Sequence, residues 1–228
     1  MCMIKGSKYL FSRIAFLTVL MFVLAAAPAG AAVTYEFYCI TNNYPSNAAI
    51  GEAQFFVDVT DDGSVGEVNY ALFTIRNTGS EPSTISEVYF NDGALLGIAE
   101  VQNGIGVAFT QDEIDPVNPP NLPGGETVTP PFIVTEGFSA DANPSPAVNG
   151  VDPNEALGIL FALKPGYDFG QVEADLASGA LRIGLHAISI GDNEESEAFV
   201  NTPIPASVLL LGSGLIGLVG FRRKKIAK

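Results

Sequence analysis

The sequence predicts an all-β protein: a single antiparallel β-sandwich, jelly-roll-like, with long loops rich in proline and glycine. Two observations support this prediction. Short apolar stretches alternate with polar residues through most of the chain between residues 33 and 201, as in half-buried strands. Turn-forming residues separate these stretches, since the 228 residues include 24 glycines and 15 prolines. A barrel is the alternative arrangement for the same strands.

A hairpin is the clearest element near the start of the domain. The stretch QFFVDV places Phe55, Val57 and Val59 on one face of a strand, and TDDGSVG provides the turn. The stretch EVNYALFTIRN then returns as the second strand. Its alternating apolar residues are Val68, Tyr70 and Leu72.

Later stretches have the composition of further strands. These are TISEVYF, ALLGIAEV, GIGVAFT, ALGILFAL and ALRIGLHAISI, with AFV as a short last strand. Two loops, 112–131 and 139–155, contain too many prolines for central strands. Only DFGQVEADLASG predicts a helix, a short one that ends at Gly179.

Residues 1–31 have the pattern of a secretory signal peptide. Basic residues precede an apolar run from Ile14 to Leu24, and small residues follow it. The favoured cleavage is after Ala31, with Ala29 as the second choice. An uncleaved anchor is the alternative, but the run is short for a membrane span of about 20 residues. The sequence therefore predicts export through the inner membrane by the Sec translocon and cleavage by signal peptidase.

The mature middle of the chain, residues 32–201, is predicted to be one strongly acidic domain. It contains all 25 acidic residues and only three basic ones, a net charge of −22. This charge argues against nucleic acid and anionic membrane surfaces as partners. Cys39 is the lone cysteine of this part, so no intramolecular disulfide can form in it.

Residues 202–228 combine three features in order. A short proline motif (Pro203, Ile204, Pro205, Ala206) begins the segment. The 18 residues from Ile204 to Phe221 carry no charge, and they predict a transmembrane helix over about 206–221. A basic cluster occupies 222–228, which predicts a cytoplasmic end by the positive-inside rule. Its first members are Arg222, Arg223, Lys224 and Lys225.

This order over Thr202–Lys228 resembles the PEP-CTERM sorting signal, in its proline-hydrophobe-proline-alanine variant. The usual motif has glutamate where this chain has Ile204. The resemblance implies a transient C-terminal membrane anchor, recognition by an exosortase-type membrane protease, and delivery to the cell surface or extracellular matrix. A permanent anchor is the alternative. Stretches such as SEVYFNDGALLG also resemble an uncharacterised group of PEP-CTERM proteins, which implies the same route and adds no activity.

The residues offer little for catalysis. His186 is the only histidine, and no G-x-S-x-G motif accompanies it, so a structural histidine is favoured over a catalytic triad. One histidine and one mature cysteine cannot close a zinc site. The abundant carboxylates leave glycosidase chemistry open, although tryptophan is absent. Four aromatics near the mature N-terminus could line a sugar site, but core or sheet-edge packing is favoured: Tyr35, Phe37, Tyr38 and Tyr44.

Calcium is the only cofactor that the sequence suggests. Ca²⁺ prefers six to eight oxygen ligands from carboxylates, amides and carbonyls. Two groups of candidate ligands follow from this: Asp58, Asp61 and Asp62 around the first hairpin, and Asp192, Asn193, Glu194 and Glu195 after the strand of His186. Neither group matches an EF-hand, and solvated turn residues are the alternative interpretation.

The sequence as a whole predicts an exported, non-enzymatic protein of a Gram-negative-type bacterium. We expect a structural or adhesive role at the cell surface or in the exopolysaccharide of a biofilm matrix. The partners expected are signal peptidase, the Sec translocon, an exosortase-type protease and exopolysaccharide, with no nucleic acid. The alternatives are a carbohydrate-binding module, a carbohydrate-active enzyme, or a periplasmic domain that stays anchored.

Overall fold

The structure, a computed structural model, describes residues 32–111, 121–143 and 148–202. Within these ranges the chain forms ten strands and two α-helices. The helices are α1 (Pro45–Gln54) and α2 (Phe169–Ser178). The strands are β1 (Val33–Cys39), β2 (Phe55–Val65), β3 (Val68–Asn77), β4 (Thr84–Phe90), β5 (Leu95–Asn103), β6 (Phe109–Gln111), β7 (Ser139–Ala142), β8 (Glu155–Leu163), β9 (Ile183–Ile190) and β10 (Glu195–Asn201).

The ten strands belong to one antiparallel sheet in the order β5-β8-β3-β2-β1-β10-β9-β4-β7-β6. β1 joins its two halves, because its first residues pair with β2 and its last residues pair with β10. The sheet nearly closes into a barrel. At the gap, the Asn103 side chain of β5 accepts from the Phe109 N–H at 2.7 Å and donates to its carbonyl at 3.0 Å. The predicted antiparallel all-β domain is confirmed, and the finer jelly-roll-like sandwich stays a prediction.

Phenylalanines from both halves of the sheet meet in the core. Phe73 of β3 contacts Phe90 of β4 and Phe161 of β8, with ring centroids 5.3 Å and 5.6 Å apart in edge-to-face geometry. Phe90 and Phe161 also contact each other at 4.8 Å. Such pairs add about 0.5–1.5 kcal/mol each beyond the burial of apolar area. These contacts hold the two halves of the sheet face to face.

The sequence predicts the buried face of β2 in the first hairpin but not the buried face of β3. Phe55, Val57 and Val59 of β2 are fully buried, as the alternation predicts. On β3 the buried residues are Ala71, Phe73 and Ile75. The alternating set Val68, Tyr70 and Leu72 is therefore on the outer face. Both faces of β3 are apolar, so alternation alone does not indicate which one is buried.

Four predictions about elements are wrong. The stretch TDDGSVG, predicted as the turn of the first hairpin, continues β2 as far as Val65, and the turn itself is at residues 66–67. The stretch GIGVAFT forms only the short β6, because Gly104–Ala108 make a turn. The second predicted loop contains β7, which pairs between β4 and β6 through a stretch that precedes the prolines. Helix α1 was not predicted at all. It begins with Pro45 in its first turn, where a missing N–H costs nothing, and Gly51 lets it approach the ring of Phe199.

The predicted helix at 168–179 is confirmed. Asp168 is its N-cap and accepts from the Gln171 N–H at 3.2 Å. Gly179 ends it with φ of 76°, a left-handed conformation that glycine adopts without steric cost. Val172 and Leu176 are its buried residues, as their helical spacing suggests.

The domain begins and ends at the same end of the barrel. β1 and β10 are antiparallel neighbours, with Phe37 opposite Asn201. Beyond β10, the Thr202 N–H and hydroxyl both donate to the carbonyl of Glu36, at 2.8 and 3.1 Å. The predicted signal peptide, with Ala29 and Ala31, and the tail from Pro203 onward lie outside the described residues. In the ranges that the structure does describe, no helix has the length and hydropathy for a membrane span.

Candidate functional site

An open depression lies on the outer face of β3, β5 and β8. Cross-strand pairing puts Leu160 of β8 opposite both Leu72 of β3 and Glu100 of β5. Tyr70 precedes Leu72 by two residues on the same face of β3, and it is half-buried. These strands therefore supply an aromatic ring, an aliphatic floor and a carboxylate to one patch of surface.

The tip of the β2–β3 hairpin forms the wall of this depression. The pairing of β2 with β3 shifts register between Asp61 and Ser64, which bends the hairpin. Within this irregular part of β2, the Asp61 side chain accepts from the Gly63 N–H at 2.9 Å. As a result Asp62 and Val65 line the depression with the strand residues.

The depression has a volume of about 460 Å³. This volume lies within the range of roughly 300–1,000 Å³ that small-molecule sites occupy. The lining combines apolar surface with two carboxylates, and none of the described residues that line it is basic. Carboxylates accept hydrogen bonds and attract cations. The tyrosine ring and the aliphatic groups can pack against the apolar face of a ligand. The lining residues are Asp62, Val65, Tyr70, Ala99, Glu100 and Leu160.

His186 takes part in a second polar cluster, on the outer face of the other half of the sheet. Its Nδ1 lies 2.6 Å from Glu87 Oε2, and the Tyr89 hydroxyl donates to the same oxygen at 2.7 Å. The hydrogen bond to His186 lowers the pKa of Glu87 below its ordinary value, against the opposing effect of burial. The Ser86 hydroxyl donates to the main-chain oxygen of His186, at 3.0 Å. The cluster links β4 to β9.

The segment 121–138 covers this half of the outer surface. Leu122 and Phe132 pack where Gly184 leaves room: a Cβ there would lie 2.8 Å from Leu122 Cδ2 and 3.2 Å from Phe132 Cζ. Arg182 donates to the carbonyls of Pro130 and Pro131, at 2.7 and 2.6 Å, and its guanidinium lies 5.2 Å from the Phe132 ring centroid. The two halves therefore differ, since one outer face is covered and the other carries the depression.

The aromatics predicted near the mature N-terminus do not form a shared open site. Tyr35 and Phe37 belong to the core, which confirms their predicted packing, and burial raises the pKa of Tyr35 to about 12. Tyr38 packs against the covered face. Tyr44 is 42% exposed and precedes helix α1.

The predicted calcium ligands lie in separate places. Asp58 accepts from Arg76 at 3.0 Å and from the Thr34 hydroxyl at 2.6 Å, so its carboxylate is already engaged. Asp192 and Asn193 lie in a 3₁₀ turn next to β10, at the far end of the barrel from the hairpin tip. Across the described ranges, the structure gathers no group of three or more His, Cys, Asp or Glu side chains suited to a metal. Calcium binding stays a prediction.

A buried glutamate near Cys39 was not anticipated. Glu197 of β10 is 1% exposed and accepts from the N–H groups of Asn43 and Tyr44, at 3.0 and 2.7 Å, and from the Thr41 hydroxyl. These bonds fasten the loop between β1 and α1. Burial is the main cause of the raised pKa of the Cys39 thiol, with Glu197 nearby. The sequence gives no signal for this role, since ESEAFVN has the composition of an exposed strand end.

Sequence reasoning also missed the residues of the depression. Of these residues the sequence suggests only Asp62 for a site, as a calcium ligand, and its patterns give no site role to Tyr70, Glu100 or Leu160. One signal could have found Tyr70: β3 is apolar on both faces, although one face of a barrel strand meets solvent. In the comparisons with known proteins, no family model, curated protein or solved structure matches the chain.

Proposed function

We propose that this chain is an exported, non-enzymatic protein of the cell surface or extracellular matrix, processed by an exosortase-type enzyme. The observation that carries the proposal is the point where the described domain meets the tail. Thr202 directly follows β10 and donates to the Glu36 carbonyl of β1, and the proline motif begins at the next residue. A cut in or after that motif would leave all ten described strands and the described core in place, so the domain would persist after processing.

The position of the two domain ends supports the same proposal. Since β1 and β10 are neighbours, the segments before Ala32 and after Thr202 are attached at the same end of the barrel. A domain attached in this way can be displayed on a membrane by either segment without passing chain across its surface. We also propose that the delivered antiparallel β-domain is, in finer detail, a jelly-roll-like sandwich.

A structural or adhesive role agrees with the distribution of charge. The domain carries 25 acidic and three basic side chains. Arg76 and Lys164 are paired with Asp58 and Asp92, and Arg182 is bound to two main-chain carbonyls. The surface therefore has a strong negative field that keeps copies apart and disfavours anionic polymers. A matrix protein of this kind associates with neutral or cationic material.

Deletion of residues 203–228 tests the proposal. We expect the shortened chain to be exported and folded but missing from the cell surface, because the tail is the delivery label. Surface exposure is measured by protease shaving of intact cells and by fractionation. The variant Asp192→Asn, which changes an exposed acid far from the tail, serves as the matched control and should be delivered normally. Unchanged surface delivery of the shortened chain would refute the proposal.

A carbohydrate-binding module is the second candidate. The open depression with Tyr70, Asp62 and Glu100 favours it, because a ring with carboxylates beside it is suited to a sugar. This candidate is compatible with export and differs from the first in requiring a defined ligand. A glycan array on which the chain binds nothing would count against it.

A further inference from the structure

We propose that the depression on β3, β5 and β8 binds a unit of an amino-sugar polymer. Tyr70 is the stacking platform, and Asp62 and Glu100 accept from the ammonium and hydroxyl groups of the sugar. This inference rests on the proposed function, because a protein of the extracellular matrix is in contact with polysaccharide. It goes further by naming the site and the charge of the ligand.

The shape of the site suits a sugar in an extended chain. One side of a pyranose ring presents mainly C–H groups, which pack on the face of an aromatic ring and on aliphatic surface. Tyr70 and Leu160 are half-buried on adjacent strands, so each presents such surface and is held in place by the sheet. The depression is open rather than enclosed, as a site for one unit of a longer chain requires.

The charge of the site selects the class of sugar. Asp62 and Glu100 are both exposed, and the part of the chain that the structure describes places no basic side chain in the lining of the depression. Arg76 and Lys164 are paired elsewhere, and Arg182 lies on the covered half of the barrel. A uronic acid or sulfated sugar would therefore meet two like charges without a counter-charge. A protonated amino sugar gains charge-assisted hydrogen bonds from both carboxylates.

The test is calorimetric titration of the full chain in detergent micelles at pH 6 with three probes. Glucosamine hexamer has both the sugar ring and the positive charge. N-acetylglucosamine hexamer has the ring without the charge, and hexalysine has the charge without the ring. The variants are Tyr70→Ala, Tyr70→Leu and Glu100→Gln, with Asp192→Asn as a control that removes one exposed charge at the other end of the barrel. Tyr70→Leu keeps an apolar side chain, so it reports on the ring if Tyr70→Ala fails to fold.

We expect glucosamine hexamer to bind most tightly. Loss of the ring in either Tyr70 variant should raise the dissociation constant of glucosamine hexamer about tenfold, and Glu100→Gln should raise it about threefold. In Asp192→Asn the dissociation constant should stay within about twofold of the wild-type value. Hexalysine should bind more weakly and should not respond to the Tyr70 variants.

Three results would overturn the inference. The first is that glucosamine hexamer does not bind. The second is that hexalysine binds with the same affinity and responds in the same way to every variant. The third is that Asp192→Asn weakens the binding of glucosamine hexamer as much as Glu100→Gln does. The last two would mean that the surface attracts any polycation. The titration does not depend on delivery, so it can fail while the tail deletion gives its expected result, and the reverse also holds.

Discussion

Glu87 illustrates how single polar residues are placed in this domain. Its carboxylate is half-buried and receives Tyr89 and His186 on one oxygen. Glu197 is fully buried and receives two main-chain N–H groups. In both cases the partners compensate for the lost contact with water, which otherwise costs about 1–3 kcal/mol per unpaired group. Neither role follows from the sequence, because the partners are distant along the chain.

The variant Glu87→Gln should lower the free energy of unfolding by about 1 kcal/mol near pH 7. The folded-state pKa of Glu87 is lowered, so its stabilising effect is full above its unfolded-state pKa and is lost as the pH falls through the folded-state value. The difference between wild type and variant should therefore shrink as the pH is lowered through and below the ordinary glutamate pKa of about 4.3. Urea unfolding across this range measures it. A difference in the free energy of unfolding that grows as the pH falls would contradict the stabilising role of the ionised Glu87.

The variant Gly184→Ala should destabilise the domain by about 1–3 kcal/mol, because its Cβ would press on Leu122 and Phe132. Thermal unfolding measures the loss. Gly97→Ala is the matched control: it also lies in a strand, and its Cβ would meet no atom within 4 Å. Equal effects of the two substitutions would mean that the covering segment does not pack on Gly184.

At the scale of elements, periodicity predicts most strands and one of the two helices. β4 has the predicted bounds Thr84–Phe90, and the capping residues Asp168 and Gly179 mark α2. The errors share a physical cause, since local pattern does not include tertiary contacts. Helix α1 has weak amphipathic character and depends on packing against β1 and β10. β7 is too short for alternation to identify, and β3 is apolar on both faces.

The covering segment 121–138 should depend on Arg182, which binds two of its carbonyls and one of its rings. We expect Arg182→Met to make limited proteolysis within the segment several-fold faster with little change in the melting temperature, because local opening is cheaper than global unfolding. Lys164→Met removes the other paired cation of this end of the barrel and is the control. Equal cleavage rates in the two variants would contradict this role.

At the scale of the whole molecule, sequence and structure contribute different parts of the account. Composition predicts an acidic domain of antiparallel strands, and the segments at its ends predict its route. The depression could not be predicted, because it requires the register of β3, β8 and β5 and the bend of the hairpin tip. The fold adds that both ends of the described domain lie at one end of the barrel, where Thr202 donates to the Glu36 carbonyl.

The central claim is that the delivered protein is the domain alone. The intact mass of the protein recovered from the cell surface or medium tests it most directly. We predict a mass without residues 1–31 and without most of 203–228, which is the product that the proposed cleavages by signal peptidase and an exosortase-type enzyme would leave. A mass that retains Arg222 to Lys228 would contradict the account and would make the protein a permanently anchored periplasmic domain.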